Sequence, residues 1–244
     1  MPENETETHP YLHFQVNDFN ESVKLSNYCK LIVGTFPIYA ITDSEPIENH
    51  GVVIRENWIN YAFMKYFYGS RRNRFWELFA ECFNEPIPVG HNDAIELLDR
   101  YKFLITDIVS STQRNGYSSS DAAISGNKLF NFDLISSILV NVNHLKIIYF
   151  TSRIAKRWFC ECLNIPFLDV SEEISVIENR RLLLIVLIPP HGNGLRRGQD
   201  FYLDNFPLNA QELLKKPGYT TSYKQRYYCN YLKLNCAETV NIKK

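Results

Sequence analysis

Residues 65–79 read KYFYGSRRNRFWELF and gather several kinds of chemistry into few positions. Arg71, Arg72 and Arg74 stand beside Tyr66, Phe67 and Tyr68, with the amide of Asn73 among them. Flat π surface next to fixed positive charge suits a nucleobase and its phosphates. The same pattern also describes an aromatic core edge with a solvated basic turn, and Asn73 also suits a brace for the helix that follows. Asp107 lies near the end of an apolar run, FLITDIV at 103–109. A carboxylate there serves as a general base if it faces a cleft, and otherwise as a loop hydrogen-bonder. Another group stands at 189–197, PPHGNGLRR, where the turn chemistry exposes His191 and sets it near Asn193, Arg196 and Arg197. These suit a contact surface. His191 has no companion motif for metal ligation.

Four apolar runs must position these groups: 29–36 (CKLIVGTF), 103–109, 145–151 (LKIIYFT) and 182–188 (LLLIVLI). Helical periodicity follows Gly69-Ser70, where Phe75, Trp76, Leu78, Phe79, Cys82 and Phe83 keep one stripe apolar. Further helices are predicted over 93–102, 131–142, from the cap Ser152 to 163, and near 208–216 and 221–233. Near-continuous strands separated by helices predict a mainly parallel four-stranded sheet in a three-layer α/β/α sandwich. Ligands of such folds lie beyond the C-terminal ends of the strands. That rule gathers the loops 34–38, 107–117, 151–157 and 189–197, with Arg153, Lys156 and Arg157 adding charge. Residues 110–120 read as a polar, serine-rich loop. Residues 1–27 read as a loose polar leader, and 28–244 as one domain with an excursion at about 38–65.

Composition narrows the classes. Hydrophobic residues make up 45%, ample for a core at this length, and aromatics 14%. The net charge of -1 gives no global basic field, so nucleic-acid contact must come from local clusters. Of six cysteines only Cys160 and Cys162 are close, which fits neither a zinc ribbon nor an iron–sulfur cluster. Several lie within apolar or aromatic stretches, which suits reduced thiols in a cytoplasmic protein. The opening MPENETETHP is neither a signal nor a transit peptide, and no apolar run is long enough to span a bilayer.

Gly34-Thr35-Phe36-Pro37 after a strand, followed by Phe67-Tyr68-Gly69-Ser70-Arg71-Arg72-Asn73-Arg74-Phe75-Trp76, resembles the first motif region of the uracil-DNA glycosylase superfamily. The nearest branch is the hypoxanthine (deoxyinosine) DNA glycosylase group, which reads roughly G-S-[FM]-P-G, then Y-Y-x-x-P-R-N-x-F-W. Residues 106–116 resemble that group's W-D-V…R-x-G segment. Residues 189–197 fall where the family carries a DNA-inserting loop. The order of elements agrees from about 29 to 233. Phe36 stands where many members carry Asp or Asn, and the hypoxanthine branch also lacks a polar residue there. Ile38 replaces a usual glycine and Arg71 a usual proline.

The resemblance implies a monofunctional DNA N-glycosylase that removes hypoxanthine or uracil, acting as a monomer with no metal or cofactor. It implies that Tyr68 stacks on a flipped base and that Asn73 is catalytic, with Asp107 as a second catalytic candidate. Gly34, Thr35, Phe36 and Pro37 would line the base pocket. Arg71, Arg72, His191, Asn193, Arg196 and Arg197 would contact DNA. Two other classes stay open: a catalytically silent relative that binds nucleic acid or nucleotide, and an unrelated small-molecule α/β enzyme.

Overall fold

The computed structural model describes residues 6–9, 12, 27–37, 48–49, 52–53, 66–69, 73–114, 124–190 and 219–236. In chain order these form β1 (Thr6–Thr8), β2 (Lys30–Gly34), β3 (Glu48–Asn49), β4 (Val52–Val53), α1 (Phe75–Phe83), α2 (His91–Arg100), β5 (Phe103–Asp107), β6 (Val109–Arg114) and β7 (Ile124–Phe130). There follow α3 (Phe132–Asn141), β8 (Ile147–Phe150), α4 (Arg153–Cys162), β9 (Glu172–Ile177), β10 (Arg180–Val186) and α5 (Tyr219–Leu232).

The central sheet runs β5-β2-β8-β10-β9. The first four strands pair in parallel. β2, β5 and β8 are buried along their whole length, which is why each reads as an unbroken apolar run. The expected four-stranded sheet needs correction: a fifth strand, β9, joins the edge antiparallel to β10. Its sequence EEISVI is half exposed and opens on two acids, so it carries no continuous apolar signal. Glu178 and Asn179 join β9 to β10 with φ of 49° and 58°, the backbone of a tight hairpin.

Side chains alternate across the sheet. Ile32, Ile105, Tyr149 and Ile185 pack with α1, α2 and α5. Leu31, Val33, Leu104, Ile148, Phe150, Leu184 and Val186 pack with α3 and α4. Helices therefore cover both faces. Ser152 caps α4 as expected, its Oγ accepting from Ala155 N at 3.0 Å. α5 is fastened by tyrosines: Tyr227 and Tyr228 donate to the carbonyls of Val186 and Ile188, and Tyr149 donates to Tyr231. A disulfide from Cys82 to Cys229 joins α1 to α5, which corrects the reduced-thiol expectation for these two cysteines. The two cysteines are 147 positions apart, so no local spacing announces the pair.

Two stretches expected to be irregular are ordered. Residues 109–114 form β6, the middle of a three-stranded antiparallel sheet β1-β6-β7. Its VSSTQR sequence hid it, yet pairing on both sides gives its backbone groups partners. The outer strand β1 comes from the expected loose leader. Thr6, Glu7 and Thr8 pair with Gln113, Thr112 and Ser111, and His9 N donates to Ser110 O at 2.8 Å. The helix expected near 208–216, most of the 38–65 excursion and residues 115–120 lie outside the described residues.

Candidate active site

The parallel strands succeed one another along the chain as β2, β5, β8 and β10, yet β2 lies between β5 and β8. The crossovers from β2 to β5 and from β5 to β8 thus depart in opposite directions. The C-terminal ends of β2 and β8 are therefore the switch point beyond which ligands of such sheets bind. Gly34 ends β2 and pairs with Asp107, which ends β5. Thr151 follows β8, its N–H donating to Val33 O at 3.1 Å.

A turn at 66–69 aims Tyr68 across this edge. Gly69 N donates to Tyr66 O at 3.0 Å, and Trp76 Nε1 donates to Phe67 O at 2.7 Å, fixing the turn to α1. Tyr68 adopts a left-handed φ of 57°, a costly conformation for a bulky residue. Its ring packs on Phe75 with centroids 4.8 Å apart, and its hydroxyl lies 3.4 Å from Thr151 Oγ1. Gly34 leaves the space this needs. A Cβ there would stand 2.1 Å from both the Tyr68 hydroxyl and Asp107 Oδ1.

Asp107 is buried, with 3% of its surface exposed. Its Oδ2 lies 2.9 Å from Nε2 of His9. Its Oδ1, the oxygen facing Gly34, has no hydrogen-bond partner among the described residues. Asn131 steadies the backbone here, its Nδ2 donating to the Asp107 carbonyl and to Thr106 Oγ1, both at 3.3 Å. His9 in turn is wedged between rings, with Phe36 edge-on at 5.8 Å and Phe67 at 5.0 Å. A buried carboxylate oriented by an imidazole on one oxygen can take a proton from water on the other. His9 is the residue the sequence reading missed. It lies in a polar segment, 98 positions from its partner. The only available hint was that a carboxylate ending a buried strand needs a donor.

The other expected site residues divide into three groups. The carbonyls of Gly34 and Thr35 accept from Ile108 N and Val109 N at 3.0 and 3.1 Å, pinning the loop 34–37 to the end of β5. Phe36 and Pro37 are buried. Asn73 is half-buried, and its Oδ1 accepts from Phe75 N at 3.0 Å, bracing the start of α1. Tyr68 and Asn73 thus flank the same residue, Phe75. Arg71, Arg72, His191, Asn193, Arg196 and Arg197 lie outside the described residues.

The cations after β8 correct another expectation, because they are engaged with the protein itself. Arg153 pairs with Asp169 at 3.1 Å. Lys156 is buried and holds Glu173 at 2.7 Å along with the carbonyls of Leu168 and Val170. The Arg157 guanidinium sits over Phe167 at 5.2 Å. Among the described residues, no group of three or more His, Cys, Asp or Glu side chains is gathered as a metal site. No described helix is long and apolar enough to cross a membrane.

No family model matches the chain, and no curated protein matches it. Among solved structures it is similar to a solution NMR structure from Methanosarcina acetivorans, provisionally described as a uracil DNA glycosylase. Identity is 16%, 86% of this chain and 93% of that one are covered, and the TM-score is 0.45. The functional reading below therefore rests on this chain's own residues.

Proposed function

We propose that this protein hydrolyses the N-glycosidic bond of a deaminated base, hypoxanthine or uracil, flipped out of DNA. One observation carries the reading. Gly34, Tyr68 and Asp107 come from separate stretches of the chain and crowd one point at the C-terminal edge of the parallel sheet. In this reading Asp107 Oδ1 accepts a proton from the water that attacks the sugar, while the departing base leaves with the electrons of the broken C–N bond. His9 holds the other carboxylate oxygen. Tyr68 supplies the ring against which the base lies, and the Asn73 amide acts on the base edge. The sugar passes through an oxocarbenium-like state, which a nearby carboxylate stabilises. Arg71, Arg72 and the 191–197 residues grip the phosphates of a single DNA site. The enzyme works as a cytoplasmic monomer without a cofactor.

The test uses duplex oligonucleotides bearing hypoxanthine, uracil or xanthine, followed by alkali. Strand scission by the wild-type protein is expected, with loss of at least about a hundredfold in Asp107→Asn and a smaller loss in Asn73→Ala. Intact oligonucleotides for every base would overturn the proposal. A second reading draws on the Asn73 contact: its amide oxygen is already engaged by Phe75 N. In that reading the chain binds nucleic acid without cleaving it. Retention of DNA at low salt without scission would favour it, and no retention at low salt would favour a small-molecule enzyme.

A further inference from the structure

The opposite end of the sheet carries a second arrangement that the glycosylase reading does not use. Cys29 lies just before β2 and is held rigidly. Its N–H donates to Lys102 O at 3.3 Å, and its carbonyl accepts from Lys146 N and Ile147 N at 2.9 and 3.2 Å. Cys236 lies just beyond α5, with its Sγ 3.8 Å from the Cys29 carbonyl oxygen. Each thiol is the largest influence on the acidity of the other. Both are half-buried, so a small reagent can reach them. The surroundings are basic: Lys30 and Lys102 act on Cys29, and Lys30 and Lys146 act on Cys236. Lys30 also donates to Leu232 O at 2.6 Å, tying the last turn of α5 to β2.

We infer that Cys29 and Cys236 form a redox-active thiol pair, closed to a disulfide by exchange with a small disulfide of the glutathione type. The Cys29 thiolate attacks one sulfur of the reagent. The new bond is Cys29–sulfur, and one thiolate of the reagent leaves. Cys236 then loses its proton and attacks the Cys29 sulfur of the mixed disulfide. The protein disulfide forms and the second reagent thiolate leaves. Two protein thiols are oxidised and one small disulfide is reduced to two thiols.

Several features set the order of attack. The neighbouring Cys236 thiol, together with Lys30 and Lys102, lowers the Cys29 pKa to about 7 against the opposing effect of burial. Cys236 is pushed upward, first by the neighbouring Cys29 and then by burial. A thiolate populated near neutral pH is the better attacking group. Cys160 and Cys162, raised to about 11 chiefly by burial, are internal comparators that stay protonated at the same pH.

Closure would matter mechanically. Cys82–Cys229 already ties α5 to α1. A second bond would tie the segment beyond α5 to β2. α5 also carries Lys224 and Tyr228, which donate to the carbonyls of Pro189 and Ile188 where β10 runs out. Oxidation therefore stiffens the support of Ile188 and Pro189 beyond β10.

The experiment treats the full-length protein at pH 7 with oxidised glutathione, blocks remaining thiols with N-ethylmaleimide, and maps peptides by mass spectrometry without reduction. The expected product is a Cys29–Cys236 cross-linked peptide, with Cys29 reacting at least about tenfold faster than Cys160 or Cys162. Cys236→Ser should trap glutathione on Cys29, while Cys29→Ser should leave Cys236 slow to react. Absence of the cross-linked peptide from the wild-type protein would overturn the inference. So would equal reaction of Cys160, or a Cys29→Ser variant whose Cys236 takes the adduct as fast as wild-type Cys29. The wild-type arm decides the question even if a serine variant folds poorly.

Discussion

At the scale of single residues, the absence of a Cβ at Gly34 is the tightest constraint on the candidate site. Tyr68 enters from a turn after the 38–65 excursion, and Asp107 enters from the neighbouring strand. Alanine at 34 would place a methyl group 2.1 Å from each. Asp107 cannot swing away freely, because His9 holds its other oxygen. Tyr68 must therefore retreat from Thr151. Gly34→Ala is expected to cost about 1–3 kcal/mol of stability, as small-to-large changes in packed interiors do. It should also remove most glycosidase activity while the far-UV circular dichroism stays native. Urea unfolding and an alkali-coupled cleavage assay measure both, and wild-type activity in this variant would mean that the three groups do not share the reaction site. Gly34, Tyr68 and Asp107 were legible in the sequence because each sits at a punctuation point, a strand end or a turn. His9 was not, because nothing in a strand-long polar segment announces a partner 98 positions along the chain.

At the scale of elements, the fastening of the helices can be tested singly. Ser152→Ala removes the oxygen that accepts from Ala155 N and should destabilise the protein by about 1 kcal/mol. The Cys82–Cys229 bridge closes a far longer loop, so its loss should cost more. Cys229→Ser is expected to lower stability by about 2–4 kcal/mol relative to the bridged protein. A reductant in the urea titration should lower the wild type by a similar amount and leave the variant unmoved. If reductant has no effect on the wild type, the bridge is absent in solution. The parallel strands could be read from the sequence, since burial on both faces demands apolar residues at every position. β6 and β9 could not. They are half-exposed strands in which serine, threonine and glutamate are tolerated, and their pairing partners are set by tertiary contacts.

At the scale of the whole molecule, the N-terminal segment links the two sheets. β1 extends the antiparallel sheet beside β6, and His9 reaches Asp107 at the end of the central sheet. Neither large apolar cluster includes any of the described residues 6–9. A chain lacking those nine residues should therefore still fold cooperatively, because its cores are intact. It should nevertheless lose the ladder from Thr6, Glu7 and Thr8 to β6 and leave a buried carboxylate without its imidazole partner. Removing one partner of a buried polar pair costs about 1–3 kcal/mol, and the ladder adds to that. Amide hydrogen exchange at Thr112, the residue of β6 opposite Glu7, should accelerate, while the β2 and β8 amides stay protected. Base excision should fall as far as in Asp107→Asn, and the single change His9→Ala should reproduce the loss of activity without the faster exchange in β6. That pairing separates the two contributions, because the truncation removes both the strand and the imidazole and the point variant removes only the imidazole. Full activity in the truncated chain would mean that Asp107 works unassisted or takes no part, and the site would have to be rebuilt around Asn73 and Tyr68.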